Sequence, residues 1–423
     1  MDYDVAIVGA GPAGLMAAKT AAKHGLKVVL IEQREDVSKI TRACCMQFIM
    51  DKGYENETIQ LKQDKVIFPT NGFEVDYEGP TVPMTDKYYI SPKGHKIHFA
   101  YHDKRPIIIK FNKGLLLKGI FNECERVGVE FRGGNVVYDA KDSDDGVKVK
   151  MRSKGIQTTV KAKKLIAADG ANASIAEALG MNKERIYFTT SLGLIHTIEG
   201  LKDFDHTAWK SYYGLAYQSN VPVMISASLW GGYFATLVVI GNKSNPPESI
   251  YENFRTKSPL AYMFKDAKIV DTLVCSVKAF TSLKVPYRGN CLIIGDAGAY
   301  VEIQTQGALM CGYHAGSAVA KELAGEAGFL EYTRWWQNSF EFNTDEYLRV
   351  AQGYALVPTY TDDELDYLFS LIEDEVLEGT YSQYKSPKLM WDSILRHEKK
   401  IAQEHPELYK KIKTKKLTLS NTL

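Results

Sequence analysis

Three glycines and one acid at fixed intervals have the chemistry to hold a dinucleotide. Gly9-Ala10-Gly11-Pro12-Ala13-Gly14 fits G-x-G-x-x-G, and Glu32 follows about twenty residues later, where a second strand ends. Gly9 permits a tight turn, Gly11 lets a pyrophosphate approach the backbone, and Gly14 lets a helix pack closely on a strand. With Pro12 and Ala13 opening that helix, free N–H groups and the positive end of its dipole face the phosphates. Glu32, with Gln33 beside it, can accept hydrogen bonds from both ribose hydroxyls, and its charge repels a 2′-phosphate.

Two later stretches carry acids of the same kind. Leu165-Ile166-Ala167-Ala168-Asp169-Gly170 is an apolar strand running into Asp-Gly and then a helix start near Ser174. Cys291-Leu292-Ile293-Ile294-Gly295-Asp296-Ala297-Gly298-Ala299 repeats the arrangement. A strand-end carboxylate accepts a strong hydrogen bond from a hydroxyl, while small neighbours admit an extended ligand. Each turn alone reads as ordinary; three in this order do not. Together they resemble the three-part FAD signature of the para-hydroxybenzoate hydroxylase fold, which includes group A flavin hydroxylases and geranylgeranyl reductases. The resemblance covers about the first 325 residues. It implies FAD as cofactor, with Asp296 at the ribityl chain, Asp169-Gly170 near the pyrophosphate, and Arg42 with Ala43 at the ribose–phosphate region. Arg34 is the alternative ribose contact, or a solvated side chain. Lys110 and Val136 are further expected cofactor contacts, and the helix start at Gly307-Ala308 is expected to face the flavin ring.

That last segment departs from both branches. Hydroxylases carry a histidine where Ala299 stands and a proline where Ile303 stands, and the glycine pair of the family is Gln306 and Ala308 here, with Gly307 between them. Cys44-Cys45 follow Arg42 directly. The resemblance implies a thiol near the flavin, able to donate a proton or change redox state, and both are candidate catalytic residues. The alternative is a small buried apolar side chain. Adjacent cysteines bridge only with strain.

These residues need a scaffold. Val5–Val8 reads as a strand, Ala13–His24 as a helix and Lys27–Glu32 as a strand, followed by a strand at Ile107–Lys110, a helix at Lys113–Val127, and strands at Val129–Arg132, Val147–Met151 and Lys164–Ala167. Ser191–Gly241 alternates as an antiparallel sheet does, and Leu309–Ala324 reads as a helix. The fold class is α/β: an FAD-binding Rossmann-like domain of the para-hydroxybenzoate hydroxylase type (1–80, 100–180 and 270–328), an antiparallel β-sheet substrate domain (81–99 and 181–269), and a helical C-terminal region (329–423). Tyr212, Tyr213, Tyr217, Trp230 and Tyr233 lie on or beside the sheet, while His196 and His314 read as satisfied core histidines.

A net charge of +1 (52 basic against 51 acidic residues) gives no field for nucleic acid. Six cysteines without CxxC spacing argue against zinc. The chain opens on a strand and has no run of ~18 apolar residues, so a cytoplasmic protein without an integral membrane segment is expected. Lys410, Lys411, Lys413, Lys415 and Lys416 read as a solvated helix face, with peripheral membrane contact as the alternative. The chain has no second dinucleotide fingerprint, so the electron donor is external, NAD(P)H or a protein carrier. The leading function is a reductase or dehydrogenase passing hydride between flavin N5 and an unsaturated small organic substrate. A group A hydroxylase and a non-catalytic flavin binder are the alternatives. The Trp-x-Trp-x-Ile motif of halogenases and the aromatic strand motif of many geranylgeranyl reductases are both absent, so nothing in the sequence supports lipid specificity.

Overall fold

The structure, a computed structural model, describes residues 1–344 and 356–414. Its first sheet has eight strands. Glu130–Arg132, Val28–Ile31, Tyr3–Val8 and Ile156–Ala167 lie side by side, followed by Gly146–Ser153 and Val136–Ser143, with Cys291–Ile293 attached to Ile156–Ala167 and Tyr287–Arg288 to Cys291–Ile293. The central strands are parallel and apolar, and Val5, Ile7, Val29, Leu30, Leu165, Ile166, Cys291 and Leu292 are fully buried. Such continuous apolar runs belong to strands covered on both faces. Register then decides where the chemistry goes. Val8 pairs with both Ile31 and Ala167, and Ala167 with Ile293. The residues that follow (Gly9, Glu32, Asp169 and Gly295-Asp296) therefore leave the sheet along one edge, the usual ligand edge of a doubly wound sheet.

Helices Pro12–Lys23 and Thr305–Leu323 cross in close contact on one face. A Cβ on Gly312 would sit 2.3 Å from the Ala13 carbonyl oxygen, and one on Gly316 would sit 2.5 Å from Thr20 Cβ. Gly312→Ala gains about 1 kcal/mol of helix propensity but forces apart two packed backbones, at about 1–3 kcal/mol. The expected net result is a lower urea midpoint, read by circular dichroism; an unchanged or higher midpoint would show that the helices can separate freely.

The second sheet also has eight strands: Lys268–Phe280, Tyr187–Glu199, Phe234–Gly241, Val223–Ala227, Ala208–Tyr212, Asp86–Ile90, Lys96–Ala100 and Val376–Glu378. It is antiparallel except at two joints, Ala208–Tyr212 against Asp86–Ile90 and Val376–Glu378 against Lys96–Ala100. Two features differ from the sequence expectation. Lys268–Phe280 pairs along its length with Tyr187–Glu199 in this sheet, whereas residues from 270 onward were expected with the cofactor unit. The C-terminal region is helical at Asp362–Ser370, Lys385–Leu395, Glu398–Glu404 and Pro406–Thr414, yet it adds the edge strand Val376–Glu378. Three residues with one buried leucine carry no periodic signal; only the partner strand defines them.

Among the described residues, no helix is long and apolar enough to cross a membrane. Lys411 and Lys413 are paired with Glu364 (2.5 Å) and Glu398 (3.0 Å) on neighbouring helices, and Lys415 and Lys416 lie outside the described residues.

Candidate functional site

A single cavity of about 560 Å³ runs from the glycine-cornered turn to the face of the second sheet. At its near end the three glycines divide their work. Gly9 has φ +99°, and a Cβ there would lie 2.3 Å from the Ala168 carbonyl oxygen; a Cβ on Gly14 would lie 1.7 Å from the Gly9 carbonyl oxygen. Both are packing glycines, and Gly14 does not line the cavity. Gly11 does line it, and a Cβ there would meet nothing within 4 Å. It is also the cap residue of helix Pro12–Lys23 and offers no side chain, so the first-turn N–H groups stay available to a ligand.

Glu32 is buried at the second strand end. Its Oε2 accepts from Ala10 N (2.6 Å), and its Oε1 accepts from Arg34 N and Nε (both 3.0 Å). Arg34 is not the solvated side chain considered from sequence, and it lines the cavity beside Glu32. It also donates to the carbonyls of Val37 (3.0 Å) and Ala10 (3.2 Å) and clamps two loops around the acid. Burial raises the Glu32 carboxyl, but the hydrogen bond and charge of Arg34 overcome it and leave the group below its ordinary value. A depressed carboxyl contributes stability above the unfolded value near 4.5 and loses it as pH falls through the lower folded value. In Arg34→Met burial of the carboxyl is no longer offset, so the variant should melt below the parent at neutral pH and the gap should narrow as pH falls through the carboxylate range. Superimposable melting–pH curves for the two proteins would contradict the clamp.

Asp169 Oδ2 accepts from Ile175 N (2.9 Å) and caps the short helix Ser174–Ala178. Its Oδ1 is buried with no partner, and burial raises its carboxyl. An orphaned acceptor on the cavity wall is the observation that fits a hydroxyl-bearing cofactor here, since such an atom costs about 1–3 kcal/mol until a donor arrives. Asp296 Oδ1 accepts from Ile303 N (2.9 Å), and Asp296 Oδ2 lies 3.5 Å from Arg42 Nη1, which also comes within 3.7 Å of a Cβ built on Gly170. Arg42 thus spans the two acidic turns from the bridging segment whose Ala43 N donates to the Val274 carbonyl (3.0 Å). Gln33, Ala43, Val136 and Ala308 also line the cavity.

Beyond Asp296 the chain is strained. Val301, a β-branched residue, has φ +61°, which costs about 1–3 kcal/mol and concentrates at functional sites. Glu302 opens onto the cavity, and enclosure by protein, reinforced by Asp296, pushes its carboxyl up. The helix start at Thr305 follows. Gly307 does not line the cavity as expected: a Cβ there would meet Glu55 Oε2 at 2.4 Å, so the glycine serves close packing. Gln306 binds Ile49 N (2.8 Å) and Ile49 O (3.1 Å) and fixes the helix start to strand Gln47–Ile49.

The two cysteines separate. Cys44 lines the cavity and its Sγ receives Lys113 Nζ at 3.4 Å. Cys45 also reaches the wall, but burial pushes its thiol up to about 12, so it is held protonated. Lys110 is another departure: it does not line the cavity, and its Nζ is 5.5 Å over the Trp209 ring on the side of the second sheet. Its neighbour Phe111 takes the opposite, cofactor-side face, stacked on Phe48 at 4.0 Å. Strand alternation decides this.

The far wall is the second sheet. Ser191, Gly193, Ile195, Val238, Ile240, Cys275 and Val277 present a mostly apolar face, closed by Met224, Tyr381 and Gln383. Cys275 was missed because it sits mid-strand without a motif. Trp230 and Tyr233 are exposed, at 58% and 85%, and Tyr212 and Tyr217 are buried in the core. His196 bonds Thr272 Oγ1 (2.9 Å) and His314 bonds Asn71 Oδ1 (2.7 Å), both inside packed regions. Arg185 was also missed, and no local pattern marks it. Buried, it donates to the carbonyls of Thr281 (2.6 Å), Ala297 (2.9 Å) and Ala299 (2.6 Å) and so ties down the turn that carries Asp296.

Known proteins share this fold. The digeranylgeranylglycerophospholipid reductase of Methanococcus vannielii is 24% identical over 394 residues, 89% of this chain and 92% of its own. The solved structure of a geranylgeranyl bacteriochlorophyll reductase-like protein from Thermoplasma acidophilum superposes with a TM-score of 0.74 at 19% identity, covering 97% of this chain and 98% of that one. p-Nitrophenol 4-monooxygenase from Pseudomonas putida superposes with a TM-score of 0.61 at 14% identity, covering 94% and 97%. These structural likenesses establish the fold. The FAD binding domain family pattern matches residues 2–298, including all three acidic or glycine-rich turns and most of the cavity wall. The chain therefore belongs to the FAD binding domain family, and FAD is its cofactor.

Proposed function

We propose that this protein is an FAD-dependent reductase that passes hydride between the flavin and an unsaturated organic substrate lying on the second sheet. The observation that carries the reading is the continuity of one cavity from the dinucleotide turn to a mostly apolar wall, with a cavity-facing thiol where the two meet. FAD bound there supplies a two-electron, hydride-transferring centre. The N–H groups of the Pro12–Lys23 helix and the side chains of Glu32, Arg42, Asp169 and Asp296 hold and orient it. Ile195, Val238, Ile240 and Val277 exclude water and position a carbon chain. Reduction of a double bond also needs a proton at the second carbon; the Cys44 Sγ–H supplies it, and Lys113 Nζ, 3.4 Å away, resupplies the sulfur.

The reductases among its relatives support the same class. The hydroxylase histidine is replaced by the buried Ala299, which weighs against oxygen chemistry. The electron donor is external, NAD(P)H or a protein carrier. The test is anaerobic: protein reduced with dithionite is mixed with unsaturated acceptors, and the oxidised flavin band is followed. Its return, with product carrying two added hydrogens, is the expected result. Return only on admission of oxygen, with oxygen found in the product, would replace the reductase by a monooxygenase.

A further inference from the structure

A second, smaller recess lies against the far end of the main cavity. It measures about 50 Å³, and Met224, Tyr381 and Gln383 line both spaces, so the two adjoin at these side chains. Its other walls are Lys87, Tyr89, Trp209, Ser211, Tyr213 and the prolines Pro222 and Pro387. An aromatic cleft of this size admits a few heavy atoms and no hydrocarbon chain.

Its charge is the unusual feature. Lys87 is 4% exposed, and its Nζ lies about equally far from the rings of Tyr89, Phe99 and Tyr381 (5.0, 5.0 and 5.1 Å). It donates to Ser386 Oγ (2.6 Å) and to the Thr380 carbonyl (3.3 Å), both neutral acceptors. An ammonium has three donors, and among the described residues no acceptor takes the third and no carboxylate lies within 4.0 Å. The nearby acid, Asp51, is occupied by the Thr380 hydroxyl, Tyr381 N (3.2 Å) and Tyr101 Oη (3.4 Å). On the same Trp209 stands the second buried ammonium, Lys110, also without a carboxylate partner among the described residues. Burial pushes Lys87 down to about 7 and Lys110 to about 8. Asp51 is the one counter-charge felt by Lys87, beyond contact distance, and Lys110 has no carboxylate within 4.0 Å among the described residues; burial disfavours the charged form of each, and an anion entering beside Lys87 favours it.

We propose that this recess is a subsite for a compact carboxylate at one end of the substrate, bound by the third N–H of Lys87 and by the field of Lys110, with the remainder of the molecule extending past Met224 and Tyr381 into the main cavity. The inference rests on the reductase reading for what happens at the other end of that molecule. It narrows the substrate class to unsaturated acids, and it separates this chain from enzymes whose pocket holds hydrocarbon alone.

The FAD-loaded protein is titrated with trans-cinnamate and with methyl cinnamate, following perturbation of the flavin absorbance. Crystals of the same protein are soaked in sodium bromide for an anomalous difference map. Cinnamate should bind at least about tenfold more tightly than its ester, equivalent to about 1.4 kcal/mol, and bromide should occupy the recess beside Lys87. In Lys87→Met the acid–ester difference and the bromide peak should both vanish; Lys110→Met, which leaves the Ser386 contact in place, should reduce both. Equal binding of acid and ester overturns the proposal, as does a recess without bromide when neither probe perturbs the flavin. A carboxylate preference that depends on Lys87, combined with failure of reduced flavin to transfer hydride to any enoate, would instead leave the subsite standing and remove the reductase reading.

Discussion

Gly11→Val should give a folded, colourless protein. The backbone at Gly11 is ordinary for any residue (φ −78°), and an added Cβ meets no protein atom within 4 Å, so the apo fold has room for the side chain. That room is the space the pyrophosphate must enter to reach the helix N–H groups. Filling it removes close approach to the backbone, and the affinity for FAD should fall by about a hundredfold or more, about 2.8 kcal/mol. The unfolding midpoint of the apo protein should barely move. The control is Gly9→Val, where φ +99° and the 2.3 Å approach to Ala168 O predict loss of the fold itself. Fluorescence titration with FAD and a melting curve on each variant make the comparison. If Gly11→Val binds FAD like the parent, the phosphates do not sit at this turn.

The second large effect is expected at a residue outside the cavity. Arg185→Met removes four hydrogen bonds at once, three to backbone carbonyls and one to Asn182 Oδ1 (3.1 Å). Burial lowers its guanidinium to about 10, so it remains charged at neutral pH and its donors are charge-assisted. Each buried carbonyl left without a donor costs about 1–3 kcal/mol, giving a total of about 3 kcal/mol or more in urea unfolding. Because Ala297 and Ala299 flank the turn that carries Asp296, FAD affinity should fall as well, although Arg185 does not line the cavity. Arg185→Lys, which keeps charge but can reach fewer carbonyls, should recover only part of the loss. A variant that is destabilised yet binds FAD with parental affinity would reduce Arg185 to a purely structural role.

Cys44 and Cys45 illustrate how far adjacent positions can diverge. Their types and proximity to Arg42 marked both as candidates, but a sequence cannot say which partners each of two neighbours on one cavity wall will meet. The structure gives Cys44 a lysine at 3.4 Å and leaves Cys45 in apolar packing. Lys110 and Gly307 followed the same logic: each was placed near the cofactor by its position beside a motif, and each is turned by strand alternation or helix packing toward another partner.

What the sequence determined by itself is whatever depends on one short segment: the tight glycine turn, the helix behind it, the acids that end three strands, and therefore the class of cofactor. Local sterics fix these, since a left-handed backbone or a strand end is a property of a few consecutive residues. Only the tertiary structure decided the rest. The single-edge convergence of Gly9, Glu32, Asp169 and Asp296 comes from strand register across more than 280 residues of chain. The clamp at Arg185, the far wall at Cys275 and the recess at Lys87 come from side chains that meet only when distant strands pair. Such encounters leave no periodicity or spacing in the sequence, because the free energy that selects them belongs to the packed pair and not to either segment alone.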